Sequence, residues 1–227
     1  MSEKRIKIKG MRKIIGDTMR ESVLKYPSAT GHAKVDMSEL LRMKDELNEK
    51  NIKIAMSAFF IKAISIALED YPELNSRIEN DELVIYDSIN VGVGTATDKG
   101  LYVLVVRSTQ DKDIIQISED LKDMLSRMKT GKLTMDDMQD GTITLSNLSS
   151  GEYDSFTSII TNDQAMIIGV AKTKKEVVVS ENDEIVIKPL SNIMVNINHA
   201  ATDGMPSSLF ATKLIEVLEN PYKYFNI

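Results

Sequence analysis

The 227-residue chain contains no cysteine and no tryptophan, and only two histidines, His32 and His199. Without thiols there can be no disulfide, no thiolate metal site and no cysteine nucleophile. Two histidines are too few for a histidine-rich metal site, and no metal is expected. No apolar run approaches the ~18 residues needed to cross a bilayer, and no short greasy stretch follows a basic start, as a secretory signal would require. Low-complexity stretches, proline-rich linkers and internal repeats are missing as well. The expectation is a soluble, cytoplasmic protein of one domain over 1–227, with residues 1–10 as an arm.

What is present is an ordinary globular balance, 42% apolar and 27% charged, and the chain is long enough to bury a substantial core. The net charge of −6 disfavours general nucleic-acid binding. The basic residues are unevenly placed: Lys4, Arg5, Lys7, Lys9, Arg12 and Lys13 face a single acid, Glu3, at the start. In Arg5-Ile6-Lys7-Ile8-Lys9 charge alternates with isoleucine, which predicts a strand with one wet face.

Met11, Ile14, Ile15, Met19, Ser22 and Val23 fall on one helical stripe closed by Pro27. Ala29 to Met37 alternates as a strand. Asp36, three residues before Glu39, has the spacing of a capping pair for a helix carrying Leu40, Met43 and Leu47. A more apolar helix runs from about Ser57 to Asp70. Hairpins are expected at Asn80-Asp81 and around Asp98-Lys99-Gly100. Ile114 to Met128 is helical, with Gly131 as its C′ residue. Strands then cover Thr142–Leu148, Ala165–Ala171, Val177–Val179, Ile185–Ile187 and Ile193–Asn198, before a terminal helix with Pro206 near its start. Interleaved helices with strands clustered as hairpins predict an α+β two-layer sandwich with a large mixed sheet.

Two stretches carry chemistry. Ile193, Val195, Ile197 and His199 share one strand face, followed by small residues and then Asp203-Gly204. A half-buried histidine at a strand end suits a general base, although on position alone a satisfied core histidine is the commoner case. Thr142, Thr144 and Ser146 line the polar face of another strand, where a fixed hydroxyl can stabilise an oxyanion. No Gly-x-Ser-x-Gly surrounds Ser146, so it is not a nucleophile elbow. Val91-Gly92-Val93-Gly94 has Thr97 where a third dinucleotide-loop glycine would stand, and reads as a plain strand. Asp136-Asp137 has no partners at metal-ligand spacing and reads as a first helical turn behind Thr134.

Taken in order, these stretches resemble the catalytic domain of the dihydrolipoamide acyltransferases of 2-oxo acid dehydrogenase complexes, within the chloramphenicol acetyltransferase-like superfamily. The words that carry the likeness are Gly10-Met11-Arg12-Lys13-Ile14-Ile15-Gly16, Tyr26-Pro27-Ser28-Ala29-Thr30, Tyr71-Pro72-Glu73-Leu74-Asn75, Gly141-Thr142-Ile143-Thr144-Leu145-Ser146-Asn147-Leu148, Asp154-Ser155-Phe156-Thr157, Gln164-Ala165 and His199 with Asp203-Gly204.

The resemblance implies an acyl shuttle between coenzyme A and the dihydrolipoyl thiol of a separate carrier domain. His199 would be the general base, Ser146 the oxyanion donor and Asp203 the brace of the histidine loop, with Gly204 and Asn198 beside them. Arg12 would pair with Asp203, Lys13 being the alternative. It also implies a homotrimer with sites shared between chains, able to build 24- or 60-subunit cores with the other dehydrogenase components. Where the usual family signature has aspartate before the histidine and arginine after it, this chain has Asn198 and Ala200. That departure keeps open a stand-alone coenzyme A acetyltransferase acting on a small hydroxyl or amine, or a non-catalytic core scaffold.

Overall fold

The computed structural model describes residues 1, 3–97 and 100–225. The hairpin turn expected at Asp98-Lys99 lies outside the described residues. In chain order the elements are α1 (Met11–Lys25), β1 (Ser28–Asp36), α2 (Ser38–Glu49), α3 (Met56–Asp70), β2 (Ser76–Glu79), β3 (Glu82–Ile85), β4 (Val91–Thr97), β5 (Gly100–Val106), α4 (Ile114–Lys129), β6 (Ile143–Asn147), β7 (Met166–Val170), β8 (Lys174–Val179), β9 (Ile185–Asn198), α5 (Gly204–Glu219) and α6 (Pro221–Tyr224). Seven strands form one mixed sheet in the order β1-β9-β7-β6-β4-β5, with β8 also paired to β9. The β4–β6 and β6–β7 pairs are parallel and the others antiparallel. The expected α+β sandwich with a large mixed sheet is what forms.

The pleat gives this sheet two unlike faces. Val91, Val93, Leu104, Val106, Ile143, Leu145, Ile168, Ile193, Val195 and Ile197 belong to the same buried cluster as Phe59, Phe60 and Ile64 of α3 and Phe210 and Leu214 of α5. The alternate positions include Gly92, Thr144, Ser146, Gly169, Asn192 and Asn196 together with buried Val105, Ile167 and Met194, a mixed face in which hydroxyls, amides and glycines are set among apolar side chains. The segment 148–163, without regular structure, covers part of it. Asn192 Nδ2 donates to the Asp154 carbonyl, 2.6 Å away, and Asn196 Nδ2 donates to the Ser158 carbonyl. A Cβ on Gly169 would lie 3.0 Å from Met194 Cε and 3.1 Å from Phe156 Cζ, so glycine is required for this close approach.

Four local expectations need correction. Residues 5–9 form no strand, and Ile6 and Ile8 are exposed; a two-residue period makes a strand only where a sheet edge is available to pair with it. The stripe of α1 is largely unburied as well: Ile14 and Val23 are exposed while Ser22, buried, donates from its hydroxyl to the Ile160 carbonyl. Asp36 is not an N-cap. Helix α2 begins two residues later, so the Asp36 carboxylate accepts from the Ser38 N–H and hydroxyl and pairs with Lys188.

The fourth concerns Ile185–Ile187 and Ile193–Asn198, which are parts of one 14-residue strand, β9. Pro189 is tolerated inside it because of where β1 stops. Met37 N–H donates to the Pro189 carbonyl, but the Met37 carbonyl already accepts from Leu41 in α2. No donor is needed from residue 189, and proline has none to give.

Capping chemistry is read correctly elsewhere. Asp113 and Gln116 form a reciprocal capping box on α4. Gly131, at φ 69°, closes the same helix, with Lys132 N–H donating to the Arg127 carbonyl and Gly131 N–H to that of Met128. Asn80 and Asp81 both take positive φ in the β2–β3 turn. Asp136–Met138 forms a single helical turn, and Asp137 accepts two bonds from Arg127 and two from Thr134.

That arrangement yields the first prediction. Arg127 above all, and then the Thr134 N–H, hold the Asp137 carboxyl well below the usual carboxylate range. Its stabilising contribution is complete above the unfolded value of about 4 and is lost as pH falls from there towards the depressed folded value. Asp137→Asn should lower the melting temperature at pH 7 while narrowing the drop between pH 7 and pH 3; an unchanged drop would show that this carboxylate is not part of the acid transition.

Candidate active site

Strand β9 ends at Asn198, opposite Ser28 of β1, and the chain turns immediately. The turn is densely tied. Asn198 N–H donates to the Ala165 carbonyl at 2.8 Å, and its carbonyl accepts from Ala201 and Thr202 at 2.9 and 3.1 Å. Its side-chain Oδ1 accepts from Ala200 N–H at 3.1 Å, and His199 N–H donates to the Pro27 carbonyl at 2.8 Å. His199 is thus fixed by its backbone while its ring stays accessible. The side chain is 46% exposed, close to the half-buried position expected. The imidazole Nδ1 lies 3.5 Å from Asp203 Oδ1.

Asp203 is the N-cap residue of α5, in extended conformation, and its side chain is 84% exposed. A carboxylate there interacts favourably with the positive end of the helix. Gly204 opens α5, and a Cβ on it would meet nothing within 4 Å. These residues stand at a groove of about 330 Å³ between the open edge of β1 and α5. Gly31, Ala33, Ser207 and Ala211 keep it narrow but unobstructed, and His32 lines the same groove. Both histidines of the chain therefore meet one cavity, His32 lining it from the polar side of β1.

Ser146 lies elsewhere. It pairs with Gly169, which pairs with Met194, which pairs with His32, one row across four strands. Thr144, two residues earlier on the same polar face, is buried and donates to Gln164 Oε1 at 2.8 Å, so that part of the hydroxyl row is an interior network. His199 is two strands across and five residues along from Ser146. At ~4.8 Å per strand and ~3.3 Å per residue that is roughly 20 Å, and the two positions have opposite pleat parity. One chain does not bring His199 and Ser146 together.

Arg12 and Lys13 lie on α1 beside Ile8, Ile15 and Arg20. Lys13 pairs with Asp17 at 2.6 Å; among the described residues Arg12 has no ion-pair partner, and the structure does not join either cation to Asp203. No group of three or more His, Asp or Glu residues suited to a metal ion occurs among the described residues, and no helix there is long and apolar enough to cross a membrane. The residues that the sequence left unnoticed are Asn192 and Asn196, which strap the segment 148–163 to β9; their period-two spacing with Asn198 was the available signal.

Because Asp203 is exposed in the single chain and its contact to His199 is solvated, Asp203→Asn should change the unfolding free energy of the dissociated chain by no more than about 0.5 kcal/mol. Denaturant titration of the variant checks this, and a loss of several kcal/mol in the assembled protein alone would mean that the carboxylate is buried against another copy of the chain.

Comparison with known proteins gives this geometry its context. The chain is 29% identical over 223 residues to the lipoamide acyltransferase component of the branched-chain alpha-keto acid dehydrogenase complex of Bacillus subtilis, covering 96% of the chain and 53% of that protein. It is 33% identical over 229 residues to the mitochondrial dihydrolipoyllysine-residue succinyltransferase component of the 2-oxoglutarate dehydrogenase complex of Saccharomyces cerevisiae, covering 98% and 49%. The chain thus spans about half the length of these curated relatives. A probable dihydrolipoamide acetyltransferase from Listeria monocytogenes superposes with a TM-score of 0.90 at 29% identity, covering 96% of this chain and 95% of that one. Chloramphenicol acetyltransferase shares the fold at a TM-score of 0.58 and 18% identity, covering 94% and 98%. The model of the 2-oxoacid dehydrogenases acyltransferase (catalytic domain) family matches residues 1–226. A strand-end histidine four residues before a helix-capping aspartate, on this sheet and across this length of match, thus places the chain in that family.

Proposed function

We propose that the chain, residues 1–227 as one catalytic domain with 1–10 as its arm, transfers an acyl group between coenzyme A and a dihydrolipoyl thiol on a separate carrier domain. The observation that carries this reading is the paired His199 and Asp203 at the mouth of a narrow groove lined by small side chains. Such a groove admits a thin extended arm ending in a thiol and offers it a base.

A thiol of pKa near ~8.5 is only a few per cent ionised at neutral pH. With Nδ1 directed to Asp203, a proton on that nitrogen leaves the Nε2 lone pair free to take the thiol proton. The thiolate attacks the thioester carbonyl, and a carbon–sulfur bond forms as the carbonyl π pair moves onto oxygen. A hydroxyl donated by Ser146 stabilises that oxyanion. Collapse breaks the original carbon–sulfur bond, and the departing thiolate recovers the proton from His199. Thiol and thioester are exchanged with no net proton and no redox change. Asp203 keeps the ring oriented, Gly204 leaves the groove open, and Asn198 shapes the turn. Arg12 serves the same loop when a second copy packs against it.

The separation of roughly 20 Å between Ser146 and His199 in one chain fits a site completed by a neighbouring copy, and thus a homotrimer as the unit of larger cores with the other complex components. Unburied apolar surface supports this. Ile14 and Val23 on α1, and Val177, Val179, Ile185 and Ile187 on one face of the β8–β9 hairpin, all face solvent.

General-base removal typically costs 10² to 10⁴ in rate. His199→Ala should therefore reduce release of free thiol from acetyl-, succinyl- or branched acyl-coenzyme A, with dihydrolipoamide as acceptor, by at least roughly 100-fold without loss of melting temperature, whereas His32→Ala should have little effect. Ser146→Ala should lower kcat by about 10² with donor KM unchanged. Mixed oligomers of the His199→Ala and Ser146→Ala chains should regain activity above either parent; no recovery in verified mixed oligomers would rule out a shared site, and no turnover of any donor by the wild type would overturn the enzymatic reading.

A further inference from the structure

One buried side chain at the histidine turn is poorly explained by folding. Asn198 is fully buried, and its Nδ2 has no hydrogen-bond partner. A buried donor left unpaired opposes folding, so an apolar side chain of similar size would suit the packing better. Its Oδ1 has one partner, Ala200 N–H, and Ala200 is exposed. Water would accept that N–H if Oδ1 were removed, so the fold gains little from the bond.

The bond matters for a different reason: it spans His199. Residue 198 accepts from residue 200 in an Asx turn, while its carbonyl accepts from residues 201 and 202 and the His199 N–H is held by Pro27. The backbone is pinned on both sides of His199, whose side chain lines the groove. Each torsion left free there would let the ring swing away from Asp203 and from a thiol, and misplacement of about 1 Å can cost ~10²-fold in rate. Main-chain bonds alone hold the start of the turn; Oδ1 is the single side-chain acceptor that fixes the peptide following His199.

We infer that Asn198 is a positioning residue: its buried amide holds the turn so that the His199 imidazole points into the groove. This rests on His199 being the base. Asn198 donates no proton and touches no substrate; it acts through the orientation of its neighbour.

The test compares Asn198→Ala and Asn198→Ser with His199→Ala, using whichever of acetyl-, succinyl- or branched acyl-coenzyme A the wild type turns over. Asn198→Ala should lose 10- to 100-fold in kcat, keep its donor KM within twofold, and melt at or above the wild-type temperature. Asn198→Ser should recover part of the rate, because a hydroxyl can accept the same Ala200 N–H. The pH dependence of kcat/KM should keep its wild-type midpoint in both variants, since the base is the same and only its aim is lost. Wild-type kcat in Asn198→Ala alongside an inactive His199→Ala would overturn this inference while leaving the base in place. A fully active His199→Ala would remove the base and this inference together. Parallel losses of melting temperature, kcat and KM in both Asn198 variants would make the residue merely structural and equally refute the proposal.

Discussion

Strand β9 is paired along both edges, and its period-two pleat sets the character of everything around it. Residues 190–198 pair with β1, while on the other edge 193–197 pair with β7 and 185–190 with β8. Ile193, Val195 and Ile197 therefore enter the core against α3 and α5, and Asn192, Met194 and Asn196 face the other way. A slip of one residue would reverse both sets, placing amides in the core and isoleucines under the 148–163 segment. Register is held by burial on one face and by amide hydrogen bonds on the other. The same strand delivers His199, so the placement of the proposed base is inherited from the packing of the sheet.

The two faces divide the labour. The helix-covered face is built from aliphatic side chains and supplies the stability, as large buried residues such as Phe59, Phe210, Leu104 and Ile117 indicate. The opposite face sets glycines, hydroxyls and amides among a few buried apolar side chains, Val105, Ile167 and Met194. Gly169 admits Phe156 and Met194 at close range beside Ser146, and Thr144 and Gln164 satisfy each other inside. A core filled on both faces would be more stable and would have no room for chemistry. Isoleucines and valines on the arm, on α1 and on the β8–β9 hairpin stay unburied in the single chain, and they are the surface that the proposed trimer would cover.

Much was legible in the residues. The alternation of Ala29 to Met37, the apolar helix that became α3, the Asn80-Asp81 turn and the glycine at 131 each depend on local backbone chemistry, which acts over a few residues and leaves a periodic trace. The histidine, the aspartate four residues on and the ordered family words were legible for the same reason, as short linear patterns. Residues 5–9 show the limit. Their alternation is as regular as that of β1, yet pairing needs a partner strand, and the sequence does not say whether one is within reach.

The sequence by itself determined the excluded chemistries and the class of fold, because composition and short-range periodicity are properties of the chain alone, and its ordered words marked the family and put His199 and Ser146 forward as candidates for base and oxyanion donor. Only the tertiary structure decided that β9 continues through Pro189, since that depends on α2 occupying the Met37 carbonyl. Tertiary structure alone also brought His32 and His199 to one groove, buried Thr144, exposed the His199 ring and set Ser146 on the far side of the sheet. Each of these follows from strand order and pleat parity, which couple residues more than a hundred positions apart and leave no periodic mark in the sequence.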